Sequence, residues 1–253
     1  MDNSRALTML TGASRGLGAA MAEQLLTRGA LLLTMSRQPD RTLGAKADSA
    51  GASLEQWSID LSDGAPAAAR LEAWLGAHED SFCSATLINN AALAGEAGPI
   101  DEADADELAA VLRVGLEAPM LLTSAFLRAT RAWKAPRKVL NISSGAGKKP
   151  LTGTAAYCAV KAGLDHFSRV VALDEARRPR PAMIVSLAPG VIDTDMQTAL
   201  RESDPQAFPS QPQFAAMKAQ GQLTSPADAA IKVLAYLARL DFGSHPVADV
   251  RDA

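Results

Sequence analysis

The stretch Thr11–Gly18, TGASRGLG, decides the fold. Three glycines, at 12, 16 and 18, crowd a turn between an apolar run, ALTML (6–10), and a helix-like segment, AAMAEQLLTRG, that ends at Gly29. Glycine lets the backbone turn tightly and lets a bulky anion come close to it. The helix that follows offers unpaired N–H groups and a partial positive charge. In this position, after a first strand and before a first helix, the turn is read as a pyrophosphate cradle.

The same alternation continues outward. Apolar runs at 30–36 (ALLLTMS), 54–60 (LEQWSID), 84–90 (SATLINN), 138–143 (KVLNIS), 182–189 (AMIVSLAP) and 247–250 (VADV) read as strands. Helix-like segments at 41–51, 65–77, 103–131, 154–177 and 225–240 separate them. This β–α order predicts an α/β domain, a Rossmann-type doubly wound parallel sheet with helices on both faces. Ligands are then expected beyond the C-terminal ends of the strands. The segment 201–224, with Pro205, Pro209 and Pro212, breaks the alternation and reads as a long irregular insertion of the lid or binding-loop kind. The whole chain, 1–253, reads as one domain with a substrate loop at about 193–223.

Bulk composition narrows the classes. Hydrophobic residues make up 48% and charged residues 21%, with a formal net charge of −3 and no basic stripe, so no nucleic-acid partner is expected. The apolar stretches read as far shorter than the roughly 20 residues of a membrane span. The N-terminus lacks a signal-peptide pattern. Cys83 and Cys158 form no disulfide framework, and His78, His166 and His245 are scattered. A cytoplasmic, metal-free domain is the expectation.

The end of the second strand bears on cofactor type. A carboxylate there would favour a free ribose 2′-hydroxyl. Here TMSRQ places Ser36 and Arg37, and Arg15 lies inside the glycine turn. Two guanidinium groups can clamp a 2′-phosphate, so NADP(H) is predicted.

The chemistry is read from AAYCAVKAGLD, 155–165. Tyr157 and Lys161 are four residues apart and share a helix face. A phenol with a pKa near 10 is a poor acid–base at neutral pH, and a nearby ammonium lowers that value. Such a tyrosine can protonate a carbonyl oxygen as hydride reaches the carbon. Ser143 or Ser144 would hold the same oxygen.

TGASRGLG, NNAA (89–92), NISS (141–144), YCAVK (157–161) and APGVIDTDM (188–196) together resemble the short-chain dehydrogenase/reductase family in order and spacing, over nearly the whole chain. The resemblance implies one Rossmann-type domain with a seven-stranded parallel sheet. It implies Ser144, thirteen residues before Tyr157, as the catalytic serine with Tyr157 and Lys161, and Ser143 as the weaker choice. Lys161 would also bind the nicotinamide ribose beside Tyr157. The turn residues Gly12, Ser14, Arg15, Gly16, Leu17 and Gly18 would line the cofactor, followed by Ser36 and Arg37. Asp60 and Leu61 resemble the pair beside the adenine. Asn90 and Ala91 would line the same cofactor, as would Pro189, Gly190 and Val191, with Thr194 at the nicotinamide amide. Ala92 stands where the family usually has glycine.

One family feature is missing. Gly115 occupies the place of an asparagine that helps hold a relay water linking the lysine to solvent. Either this is neutral drift in a helix or the relay survives through backbone. Pro119 has no N–H, so an α-helix cannot bond it back to the Gly115 carbonyl, and the glycine would leave extra room for water.

The C-terminal half is similar to the sepiapterin reductase and bacterial benzil reductase branch of the family, in YCAVKAGLD, VALDEA, LAPGVIDTDMQ, MKAQGQLTSPADAA and FGSHPVADVRD. That branch implies an NADPH-dependent carbonyl reductase acting on an activated ketone, with Ser144 and Tyr157 at the substrate and Asp249 anchoring an amino-pyrimidine edge. Met196, Phe208, Phe214 and Met217 would either wall the substrate or pack the loop on the body. Trp57 and Trp133 read as structural, His166 as packing or interface, and Cys158 as having no catalytic part. Two other readings stand beside this one: an NADP-binding sensor or scaffold with impaired chemistry, supported by Gly115, and an NADP-dependent alcohol dehydrogenase. By resemblance the partner is a small-molecule carbonyl compound and a second copy of the chain, as a homodimer or homotetramer.

Overall fold

The computed structural model describes residues 5–79 and 81–252. Seven strands run β1 (Ala6–Thr11), β2 (Leu31–Ser36), β3 (Ser53–Ser58), β4 (Ser84–Asn89), β5 (Arg137–Ile142), β6 (Met183–Ala188) and β7 (Val247–Asp249). They form a single sheet in the order β3-β2-β1-β4-β5-β6-β7, and every pairing is parallel. The order reverses between β1 and β4, which opens a crevice at their C-terminal ends.

Both faces of the sheet are covered, which explains why its inner strands read as continuous apolar runs. All six residues of β2 are buried. On one face Leu7, Met9, Leu33 and Val139 pack with Leu71 of α3 (Gly64–Ala77) and Leu122 and Phe126 of α5 (Ala118–Ala129). On the other, Leu10, Leu32, Ile88 and Val185 meet Met21 and Ala22 of α1 (Gly16–Leu25) and Val233 of α9 (Pro226–Ala238). Trp57 and Trp133 belong to the first core, as the sequence predicts.

Helix starts follow local chemistry. Asp104 accepts a bond from the Glu107 N–H and caps α4 (Ala105–Leu112), while Ser225 caps α9 by accepting from the Asp228 N–H, ahead of a proline at the first turn.

Four expectations change. The first helix ends at Leu25, four residues before Gly29, which holds φ +78 in the following turn. The long helix at 103–131 is interrupted: Arg113–Glu117 forms a π-helical turn between α4 and α5. Pro119 sits in the first turn of α5, so the break falls where an α-helix would lose a donor. The run Ala105–Ala129 is also long and apolar enough, by length and composition, to cross a membrane. About half of it is buried, in part by packing on α3 and on α6 (Ala155–Ala176). The insertion at 201–224 is not irregular: with the residues before it, it carries α7 (Asp195–Glu202) and α8 (Gln211–Ala219). Proline is compatible with a first helical turn, which is where Pro212 lies.

Candidate active site

The glycine turn is shaped by close contacts that exclude side chains. Gly12 holds φ +69, and a Cβ there would lie 2.9 Å from Ala91 Cα. A Cβ on Gly18 would lie 2.0 Å from the Gly12 carbonyl oxygen, inside any allowed contact. Gly16 holds φ +55 and faces Thr194, whose methyl would be 3.3 Å from an added Cβ. The turn thus presents bare backbone toward Thr194, the cradle that a pyrophosphate group fits. Ser14 and Arg15 are exposed at its rim, and Leu17 is buried beneath it.

Two hydroxyls fix this turn to the sheet. Thr11, buried at the end of β1, accepts from the Asn90 and Ala91 N–H groups at 2.9 and 3.0 Å. Ser36 accepts from the Ala13 N–H at 2.9 Å. Asn90 donates its amide to the Thr11 and Gly12 carbonyls. Ser36 and Asn90, expected at the cofactor, therefore use their side chains to hold the turn. Arg37 is exposed at the end of β2, and Arg15 meets Asp195 at 3.4 Å across to α7. Asp60 is exposed and accepts from the Ser62 N–H, which lowers its pKa; Leu61 is buried. Pro189 is buried, Gly190 holds φ +85, and the Val191 carbonyl accepts from the Thr224 N–H at 3.0 Å.

The side chains expected to react converge at the end of β5. Ser144 leads the 3-10 turn Gly145–Gly147, and its hydroxyl accepts from the Ala146 N–H at 3.2 Å. Tyr157 and Lys161 lie on α6 as the i, i+4 pattern requires. Burial raises the Tyr157 pKa above the ordinary phenol value; a hydrogen bond with the Ser144 side chain pulls it down, and neighbouring Cys158 adds to the rise. Lys161 is 3% exposed and donates to the Ile142 carbonyl at 2.8 Å. Burial lowers its pKa from 10.5 to about 8, with Asp165 pulling the other way. The expected sign for the phenol is thus reversed. Lys161 Nζ lies 5.5 Å from the Tyr157 ring centre and is bonded to the end of β5, so burial dominates. Of the two serines, Ser144 is the one whose side chain acts on Tyr157; Ser143 is buried, and its hydroxyl has no hydrogen-bond partner among the described residues.

Comparison with known proteins agrees with this arrangement. Residues 6–205 match the family model described as short chain dehydrogenase. The chain belongs to the short-chain dehydrogenase family. It is 38% identical over 219 residues to the benzil reductase ((S)-benzoin forming) of Bacillus cereus, covering 86% of this chain and 88% of that one. It is 32% identical over 209 residues to the sepiapterin reductase of Xenopus tropicalis, covering 77% of each. A solved metagenomic short-chain oxidoreductase in complex with NADP is 28% identical, with a TM-score of 0.73 over 98% of this chain and 96% of that chain.

The substrate-side residues of this short-chain dehydrogenase have the following surroundings. Gly115 lies in the π-helical turn, and the space a side chain would take there is filled from α6. A Cβ there would meet Val160 Cγ1 at 2.5 Å, because α6 packs directly on the turn. Asp249, at the end of β7, is 5% exposed, and both of its oxygens are engaged by the Arg251 side chain. That ion pair lowers its pKa and takes the bidentate geometry expected for a ligand. Phe208 is fully buried, stacks edge-on with Phe214, and lies under Gly153, so it packs the 201–224 segment onto the body. Met196, Phe214 and Met217 are half-buried. His166 is exposed on α6, and Cys158 pairs with Thr154. Among the described residues no group of three or more His, Cys, Asp or Glu is placed to hold a metal ion.

Sequence reasoning passed over Thr11, Val160 and Asp165. Thr11 was the first letter of the quoted motif, and a hydroxyl there had a signal. Val160 and Asp165 had none apart from lying on either side of Lys161 in the chain.

Proposed function

We propose that this chain is an NADPH-dependent carbonyl reductase acting on activated ketones, either dicarbonyls or ketones attached to a conjugated ring. The observation that carries the reading is Ser144 acting on Tyr157, with Lys161 buried one helical turn on, at the same end of the parallel sheet as the glycine turn. A bound nicotinamide would supply the hydride. Ser144 would orient the carbonyl oxygen and Tyr157 would give it a proton. Lys161 would hold the ribose and place positive charge behind the phenol.

The raised Tyr157 pKa supports the reductive direction. At neutral pH the phenol is in its proton-bearing form, which ketone reduction consumes and alcohol oxidation would have to lose first. Preference for NADPH rests on Arg37 at the end of β2, on Arg15 in the turn, and on the absence of a carboxylate at that strand end. The similarity to benzil and sepiapterin reductases supports the substrate class. Met120 of α5 with Val170 and Leu173 of α6, all exposed apolar residues, support a homo-oligomer through these helices.

The test is NADPH oxidation against benzil, isatin, sepiapterin and simple ketones. Turnover of the first three with NADPH, and little with NADH, is expected. Tyr157→Phe should lower kcat by about 10²–10⁴-fold while leaving NADPH binding nearly intact. Tight NADPH binding without consumption on any substrate would favour the sensor or scaffold instead.

A further inference from the structure

Asp165 is a buried carboxylate that the reading above does not use. It lies on α6 one turn after Lys161, the spacing at which two side chains share a helix face. It is 2% exposed. Ser186 of β6 donates its hydroxyl to Oδ1 at 2.7 Å. On the other side the carboxylate faces Gly147, the last residue of the Ser144 turn, where an added Cβ would lie 2.8 Å from Oδ2. A buried carboxylate is costly unless it is hydrogen-bonded and matched by a positive charge.

The groups around Lys161 identify that match. From β5 it meets the Ile142 carbonyl, and from its own helix Tyr157 and Asp165. Arg113 and Glu117 of the π-helical turn are exposed to solvent. Asp249 of β7 is engaged by Arg251 and feels Lys148. Asp165 is the carboxylate that acts on Lys161.

We infer that Asp165 is a positioning residue, a counter-charge clamped between Ser186 of β6 and the Gly147 turn that keeps Lys161 protonated and the Ser144 turn seated on α6. The inference deepens the proposed reaction and rests on it for the catalytic meaning of Lys161. The electrostatic part is measured without turnover.

The experiment is an NMR titration of the protein carrying 13C,15N-labelled lysine, with the Lys161 signal assigned by its loss in Lys161→Arg. In Asp165→Asn the Lys161 midpoint should fall by roughly one pH unit or more relative to the unaltered protein. Asp165→Ser, smaller and equally neutral, gives the same result where the amide is poorly accommodated. Ser186→Ala keeps the charge and should leave the midpoint close to its original value. In kcat against pH, Asp165→Asn should move the alkaline limb downward by the same amount, whereas a purely structural loss would lower kcat evenly. An unchanged Lys161 midpoint in both Asp165 variants overturns the inference, whatever the activity. A shifted midpoint in a protein that consumes no NADPH on any ketone would sustain the counter-charge and reject the reductase.

Discussion

Val160 Cγ1 stands 2.5 Å from the position that a Cβ on Gly115 would take. The two residues form a size-matched pair: a side chain is absent on the π-helical turn and a β-branched one fills the space from α6. Gly115→Ala should therefore cost about 1–3 kcal/mol through overpacking, partly offset by the roughly 1 kcal/mol helix preference of alanine over glycine. Val160→Ala should also destabilise, by leaving a small void. The double variant should be less destabilised than the sum, with a coupling of about 1 kcal/mol or more in urea melts. Additive effects would show that the contact is not tight.

Arg37 is exposed at the end of β2, beyond the last buried residue of the strand. Charge-assisted bonds to a 2′-phosphate are each worth about 1.5–3 kcal/mol. Arg37→Ala should lower kcat/KM for NADPH by roughly 10-fold to 100-fold and leave the value for NADH nearly unchanged. Arg15 shares its charge with Asp195, so Arg15→Ala should have the smaller effect. Equal use of both cofactors by the unaltered protein would remove the basis for this prediction.

Thr11 joins the end of β1 to the end of β4 across the point where strand order reverses. Thr11→Val keeps the shape and removes the acceptor for two backbone N–H groups. Each unsatisfied buried donor costs about 1–3 kcal/mol. The variant should lose several degrees in Tm and bind NADPH more weakly, because the cradle is no longer fixed. A wild-type Tm with weakened binding would place the hydroxyl in cofactor contact instead.

The fold was legible because its signals are local and redundant. TGASRGLG, the continuous apolar strands and the helix between 154 and 177 each repeat the same β–α period, and the sheet follows from that period. The convergence of Ser144, Tyr157 and Lys161 followed from motif spacing. What spacing could not carry was environment. Ser36 and Asn90 are at the expected place, but their hydrogen bonds turn inward to the backbone. Asp249 reaches the right end of the sheet with a partner, Arg251, only two residues away. The sign of the Tyr157 shift depends on burial, which no single residue type announces. The π-helical turn arises from Pro119 together with the Gly115–Val160 contact, and only the proline half of that pair is visible in sequence.

Lys161 makes folding stability depend on pH in a defined direction. Its folded pKa is about 8, below the ordinary 10.5, so burial works against the protonated form. Below pH 8 both the folded and unfolded chains carry the proton, and the full penalty is present. Between about 8 and 10.5 the unfolded chain still binds a proton that the folded chain has released, so stability from this group rises with pH. Comparison with Lys161→Met cancels the other titrating groups. The stability of the unaltered protein relative to the variant should grow from pH 7.5 to 9.5, toward a limit of about 3 kcal/mol, in urea melts taken at each pH. A difference that stays flat across that range would mean that the ammonium is not desolvated, and a difference that falls would mean that Asp165 outweighs burial and raises the lysine.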